Sequence, residues 1–254
     1  MKKSLILFAT AVLSFAACNK SVLNTQDEAG VGYLNFEMSS DDVVISTKAA
    51  VTGSTLNAYN VYLSGVEGWP KTYGTILNQT FTLTAGDYNV YAENITPLAA
   101  ETDMGALRVA SESQSVTVSK NSVATANIHC VAQSSKIILK YADGFESVVT
   151  SPVFTVAKSG GAKRADGAAS LILQEDVPAY YNGSVELVWT LTGTHGGVPK
   201  TYGGSNITLE KGKCLTLTVS QSTQSGELKV VVTADDELIE VSDSINIDPY
   251  KPQN

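Results

Sequence analysis

The feature that most constrains this chain is a five-residue sequence that occurs twice. Residues 70–74 and 199–203 both read Pro-Lys-Thr-Tyr-Gly, and a strand-like run ending in glycine precedes each copy. A turn-and-strand unit follows each copy, and the alignment pairs Leu83 with Leu209 and Gly86 with Gly212. Because a repeat should be recognised before any fold is assigned, we interpret the chain as two related modules in tandem.

The unit after the first copy has the alternation of a half-buried strand. Gly86 follows a short apolar run, and a tight hairpin is predicted there because glycine adopts positive φ at little steric cost. In the strand after it, alternation places Tyr88 and Val90 on one face and Tyr91 and Glu93 on the other.

The first seventeen residues have the composition of a secretory signal peptide. A basic start at Lys2 and Lys3 is followed by a short apolar run and then by small residues before Cys18. The run is shorter than the roughly 20 residues that span a bilayer. Leucine, small residues and Cys18 resemble the lipobox of bacterial lipoproteins, which implies a lipid such as palmitate on Cys18 and cleavage before it. Residues 18–30 are then expected to be the anchor and tether.

Charge and composition exclude some functions and favour one fold class. The full chain carries a net charge of −8, and removal of Lys2 and Lys3 leaves 15 basic against 25 acidic residues, a net −10. A chain this acidic lacks the electrostatic surface that binds nucleic acid. Val, Thr, Ile and Tyr are abundant between short polar turns, which predicts strands.

The predicted fold is therefore all-β, with two tandem antiparallel β-sandwich domains, and the Leu-x-x-Gly-x-Tyr-x-Val pattern that begins at Leu83 resembles transthyretin-like modules. Residues 31–131 are expected to form the first domain and residues 132–254 the second, a length that gives each a workable core. The glycine-rich segment 159–167 is predicted to be a mobile loop.

Several of these motifs together resemble a known family. The lipobox, the Thr47-Lys48-Ala49 sequence and the unit around Leu83, Gly86 and Tyr88 look like a Bacteroidales surface-lipoprotein family of unknown function, distantly related to fimbrillin-type adhesins. The resemblance implies a lipid-anchored outer-membrane protein, exposed at the cell surface, with a structural, adhesion or fibre-attachment role. Its expected partners are the membrane, fimbrial or other surface proteins, or glycans.

Aromatic residues near the two copies provide an alternative hypothesis, a glycan-binding surface lipoprotein. Flat aromatic rings on loops stack on sugars and also anchor protein interfaces. Trp69, Tyr73 and Tyr202 are the candidate ligand or interface residues. Half-burial in a sandwich is an equally ordinary position for such rings, so both interpretations stay open.

No catalytic residue, metal ligand or cofactor is predicted. The histidines, His129 and His195, are far apart in sequence, and a zinc site needs three or four ligands close together. The chain is accordingly expected not to be an enzyme. Cys130 and Cys214 remain after Cys18, and the sequence leaves open whether they are two small buried side chains or a disulfide between the modules.

Overall fold

The computed structural model describes residues 30–40, 56–224, 227–235, 237–239 and 241–242. The predicted signal peptide, Cys18 and Thr47-Lys48-Ala49 lie outside these residues. The described part consists of strands joined by turns and by helices of a single turn.

The strands of the first half are β1 (Val31–Ser40), β2 (Asn60–Leu63), β3 (Lys71–Thr72), β4 (Phe81–Thr84), β5 (Gly86–Glu93), β6 (Val109–Ala110), β7 (Gln114–Val118) and β8 (Val123–Ala132). Those of the second half are β9 (Ser134–Tyr141), β10 (Thr150–Lys158), β11 (Leu171–Leu173), β12 (Ala179–Asn182), β13 (Val185–His195), β14 (Val198–Gly204), β15 (Ile207–Leu209), β16 (Cys214–Gln224), β17 (Glu227–Ala234), β18 (Glu237–Ile239) and β19 (Val241–Ser242). The helical turns are α1 (Tyr73–Ile76), α2 (Pro97–Ala100), α3 (Phe145–Val148) and a 3₁₀ turn at Ser159–Gly161.

The first module packs two layers of strands against each other. In one layer β1 lies between β4, which is antiparallel to it, and β8, which is parallel. In the other layer β5 pairs with β2, β6 and β7, and β3 lies at the edge beyond β2. The last residues of β8 pair with β6, so β8 takes part in both layers.

The second module repeats this arrangement. Its first strand, β9, lies between antiparallel β12 and parallel β16, as β1 lies between β4 and β8. The other layer has the order β11-β10-β13-β14-β19, with β15 also on β13. The all-β, two-sandwich prediction is confirmed, and each sandwich contains one parallel strand pair among otherwise antiparallel ones.

The two copies of Pro-Lys-Thr-Tyr-Gly are not at equivalent positions in this shared frame. The first copy precedes β4, the antiparallel neighbour of its module's first strand, whereas the second copy follows β12, the corresponding neighbour. Leu83 on β4 pairs with Gly32 of β1, but Leu209 on β15 pairs with Val185 of β13. The alignment of Leu83 with Leu209 is therefore wrong, although the inference of two related modules stands.

The predicted hairpin at Gly86 is also wrong. Phe81–Thr84 pairs with β1, and Gly86–Glu93 pairs with strands of the opposite layer, so the chain crosses between layers at Ala85. Gly86 begins a strand and has no positive φ, unlike Gly212 with φ of 78°. An apolar run followed by Ala-Gly has the same local signature whether the chain turns back on itself or crosses to the facing sheet.

Each sandwich encloses its own apolar core. Leu34, Val61, Val90 and Ile128 are almost fully buried between the layers of the first module. In the second module the fully buried residues include Leu139, Phe154, Leu191 and Val219.

Candidate functional site: the joint between the modules and a tyrosine face

A one-turn helix of the first module places a glutamate side chain against the second module. Helix α2 begins with Pro97, and the Thr96 side chain accepts a hydrogen bond from the Ala99 amide, a regular N-terminal cap. The helix ends after one turn, and Glu101 follows as its C-terminal cap. The Glu101 side chain is fully buried, which is unusual for a carboxylate without partners.

All the groups that bind the Glu101 carboxylate come from the second module. Lys158 Nζ lies 3.1 Å from both carboxylate oxygens, and the backbone N–H of Asn182 donates to Oε1 at 2.7 Å. The backbone N–H of Ala165 donates to Oε2. A buried charge is tolerated when it is paired and hydrogen-bonded in this way. We call Glu101, Lys158, Arg164, Ala165 and Asn182 the joint.

Arg164 extends the joint in the opposite direction. Its guanidinium donates to the carbonyl oxygens of Glu101 and Asp103, and it lies 5.0 Å from the centre of the Tyr181 ring. Burial raises the pKa of the Tyr181 phenol, and the nearby Arg164 partly offsets that rise. Each module therefore contributes a buried charged side chain to the other's backbone.

One residue of the segment predicted to be a mobile loop, 159–167, is buried against the first module. Arg164 is only 4% exposed, and Arg164 and Ala165 are both bonded to the first module. Additional contacts cross the boundary: Tyr180 N donates to Met104 O, and Asn182 Nδ2 donates to Pro97 O. These hydrogen bonds join the two sandwiches through segments of both modules.

Two of the three predicted ligand aromatics lie in the cores. Tyr73 and Tyr202 are 7% and 8% exposed, so neither ring can present a face to a ligand, and their expected surface position is wrong. Tyr73 begins the helical turn α1 and Tyr202 lies within strand β14, and each side chain packs in the core of its own sandwich. Trp69 is half-buried, 5.1 Å from the Phe36 ring and 5.4 Å from Phe81, with Lys71 Nζ 5.8 Å above it. Its proposed ligand role remains a prediction.

Another pair of aromatics is half-buried on the outer side of a sheet. Tyr62 on β2 is directly opposite Tyr91 on β5, and their rings stack with centroids 4.3 Å apart and planes at 2°. One step along the same strands, Asn60 is opposite Glu93, whose carboxylate binds Arg108 at 2.7 Å. We call Asn60, Tyr62, Asn89, Tyr91, Glu93 and Arg108 the tyrosine face.

The electrostatics of the tyrosine face keep both phenols neutral. Burial raises the pKa of Tyr62, and the charge of Glu93 and a hydrogen bond to it raise it further. Burial and the same carboxylate raise the pKa of Tyr91. Sequence alternation had placed Tyr91 and Glu93 on one face, but only the pairing of β2 with β5 brings Tyr62 to them.

The two described cysteines do not form a disulfide. Cys130 is buried in the first core, and burial raises the pKa of its thiol to about 11. Cys214 is half-buried, packs against the same core, and lines a cavity of about 180 Å³ together with Lys136 and Asp235. The interpretation of the cysteines as two small buried side chains holds for Cys130, whereas Cys214 is only half-buried.

The histidines have separate environments. His129 Nδ1 is 3.1 Å from Ser39 Oγ, and His195 Nδ1 is 2.9 Å from Val148 O. Within the described ranges, no three His, Cys, Asp or Glu residues are grouped so as to hold a metal ion. No helix in the same ranges is long and apolar enough to cross a membrane.

A comparison with protein-family models gives a match over most of the chain. The model of the family described as "Domain of unknown function (DUF4493)" matches residues 30–249. No curated protein matches the sequence.

Three similar solved structures have identities between 11% and 16%. One, described as "putative polysaccharide binding proteins (DUF1812)" from Bacteroides thetaiotaomicron, has 11% identity and a TM-score of 0.43, with 82% of this chain and 97% of that one covered. A "putative cell adhesion protein" from Bacteroides eggerthii has 16% identity and a TM-score of 0.40, with coverage of 85% and 97%. The fimbrial anchor protein Mfa2 from Porphyromonas gingivalis has 14% identity and a TM-score of 0.42, with coverage of 82% and 97%.

Proposed function

The chain belongs to the family described as a domain of unknown function (DUF4493), and on that premise we propose that it is a lipid-anchored outer-membrane protein serving adhesion or fibre attachment at the cell surface. The solved structures above include proteins described as adhesion and fimbrial anchor proteins, but their TM-scores are too low to carry the proposal. The support comes from the sequence and geometry of this chain.

The proposed anchor is Cys18, at the end of a sequence that resembles a lipobox. Acyl chains on the mature N-terminus would hold the protein at the membrane, and two or more chains make such anchoring stable. Residues 19–29 are small and polar, a composition suited to a tether between the lipid and β1.

The observation that carries the proposal is the joint. A protein that connects a membrane to an external partner transmits force along its length, and a joint that yields first would limit that force. Here a fully buried carboxylate of one module receives an ammonium group and two backbone amides from the other. Removing one partner of a buried ion pair costs about 3–5 kcal/mol because the other charge is left buried without a partner, so a change of Glu101 should destabilise the contact between the modules.

The proposed role is non-catalytic because the buried charged groups are already occupied in structural contacts. Glu93 is held by Arg108, and Glu101 is held by Lys158. Both pairs fix strands and turns in place.

Anchoring and exposure are tested together in cells. Cells producing the full chain are fed an alkyne analogue of palmitate, and intact and permeabilised cells are treated with protease. We expect labelling and protease loss on intact cells, and no labelling for Cys18→Ser. Survival of the chain on intact cells, or continued labelling of Cys18→Ser, would contradict the proposal.

The joint is tested by calorimetry of the purified chain without its signal peptide. We expect the modules to unfold in one transition, and Glu101→Gln to separate it into two or to lower its midpoint strongly. Glu112→Gln, a change of an exposed glutamate in the same module, is the matched control. Equal curves for the two variants would show that the joint does not couple the modules.

A further inference from the structure

We propose that the tyrosine face is a binding site for a neutral saccharide. The inference deepens the proposed surface role by naming a ligand class, and it replaces the loop aromatics of the sequence-based glycan hypothesis with residues on a sheet face.

The rings of Tyr62 and Tyr91 are preorganised by stacking on each other. Tyr62 and Tyr91 are stacked with their planes at 2°, so each ring restricts the rotation of the other. Tyrosine supplies a large contact area at a small cost in conformational entropy, and a ring that is already held loses even less on binding. An aromatic surface of this kind packs against the C–H face of a sugar ring.

Polar side chains suited to binding hydroxyl groups lie around the two rings. Asn60 and Asn89 present carboxamides, each of which both donates and accepts, and the phenols do the same. Glu93 is buried and its carboxylate is already bound by Arg108, so the asparagines and the phenols are the polar groups that a ligand would contact. A saccharide hydroxyl is also both donor and acceptor, so this mixture is complementary to a row of hydroxyls.

The residues around the two tyrosines favour a saccharide over a protein partner. The cores of protein interfaces are apolar, with a polar rim. The exposed large apolar residues of the described chain are Val31, Tyr33, Leu77, Leu98, Val123, Val153, Ile172, Val188 and Val198. None of them is on the outer side of β2 and β5, where the neighbours of the tyrosines are asparagines and serines.

The charge of the tyrosine face and of the whole chain favours a neutral ligand over an anionic one. Glu93 and Arg108 neutralise each other at 2.7 Å, so the tyrosine face has no net charge of its own. The remainder of the molecule is acidic, with a net charge of −8. Long-range repulsion therefore disfavours sulfated or uronate polymers and leaves neutral ones as the favoured ligand.

The test is affinity electrophoresis of the purified chain, lacking only its signal peptide, in native gels. The gels contain soluble β-glucan, galactomannan or α-mannan as neutral probes, or polygalacturonate as an anionic probe. We expect at least one neutral polymer to retard the chain, and Tyr62→Ala and Tyr91→Ala each to weaken that retardation about tenfold. Tyr33→Ala, which removes an exposed tyrosine from β1 of the same module, should leave retardation unchanged.

A second variant keeps the test decisive if a tyrosine variant fails to fold. Asn89 is exposed, and its strand is bonded through its backbone, so Asn89→Ala should fold normally and weaken retardation several-fold. No retardation by any neutral polymer, retardation by polygalacturonate alone, or retardation unaffected by the face variants would overturn the inference. Protease shaving tests surface exposure separately, so a silent gel with a shaved chain refutes the saccharide site and leaves the adhesion proposal standing.

Discussion

The two copies of Pro-Lys-Thr-Tyr-Gly begin alike and end differently. In both, Lys-Thr folds back antiparallel on the preceding strand: Lys71 pairs with Val61, and Lys200 pairs with Gly193. After that, Tyr73 starts the helical turn α1, whereas Tyr202 continues in strand β14. The same five residues therefore support two backbone conformations.

The residue three positions after each tyrosine explains the difference. In the first copy it is Ile76, which together with Tyr73 is buried on one side of a helical turn, the i and i+3 spacing of a helix face. In the second copy it is Ser205, which is exposed and follows two glycines that disfavour a helix. We infer that burial of the next apolar residue, rather than the shared sequence, selects the conformation.

The largest expected effect follows directly from this explanation. Ile76→Ala removes a side chain that is 1% exposed and leaves a cavity under α1, so we expect a loss of about 2–5 kcal/mol in the free energy of unfolding. Urea denaturation followed by circular dichroism measures it.

The matched change in the second copy is Ser205→Ala. The Ser205 carbonyl accepts the Trp189 indole N–H, and an alanine keeps that carbonyl, so the change should stay within about 0.5 kcal/mol. Similar losses in the two variants would mean that burial of Ile76 does not determine the backbone conformation of the first copy.

The part of the fold that is predictable from sequence is the part that alternation and turn residues encode. The strand at Val31–Ser40 alternates exposed and buried residues, and that period predicts both the strand and its inward face. The alternation does not specify which strand pairs with β1. β1 pairs with β8, about ninety residues later, and no local pattern specifies that choice.

The joint and the tyrosine face were missed for the same reason. Glu101 and Arg164 are polar residues in turns, where composition predicts solvent exposure, yet contacts between sequence-distant segments bury both. Tyr91 and Glu93 were assigned to one face by alternation, but Tyr62 joins them only through the pairing of two strands. Sites assembled across strands therefore need the topology.

A smaller loss of unfolding free energy is expected when the hydrogen bond between the first copy and strand β1 is removed. The Tyr73 hydroxyl accepts a hydrogen bond from the Met38 backbone N–H at 3.2 Å, which ties α1 to β1. Tyr73→Phe leaves that donor without its partner, and we expect a loss of about 1 kcal/mol in unfolding free energy. Tyr88→Phe, where the hydroxyl donates to an exposed carbonyl of Thr84, should cost less than half as much in the same urea titration. Equal costs would remove this contact as a reason for the difference between the copies.

The smallest effect concerns the glycine that ends each copy. A Cβ on Gly74 would lie 3.0 Å from the backbone oxygen of Asn57, whereas one on Gly203 would be an ordinary 3.4 Å from Trp189 O. Alanine at 74 gains helix propensity but is crowded by backbone, so we expect Gly74→Ala to lose about 0.5–1 kcal/mol. Gly203→Ala should be neutral or gain a few tenths, because alanine restricts the unfolded chain more than glycine does. Chemical denaturation of both variants gives the difference between them. If Gly203→Ala proved the more costly change, close packing of the first copy against Asn57 would not be what distinguishes its glycine.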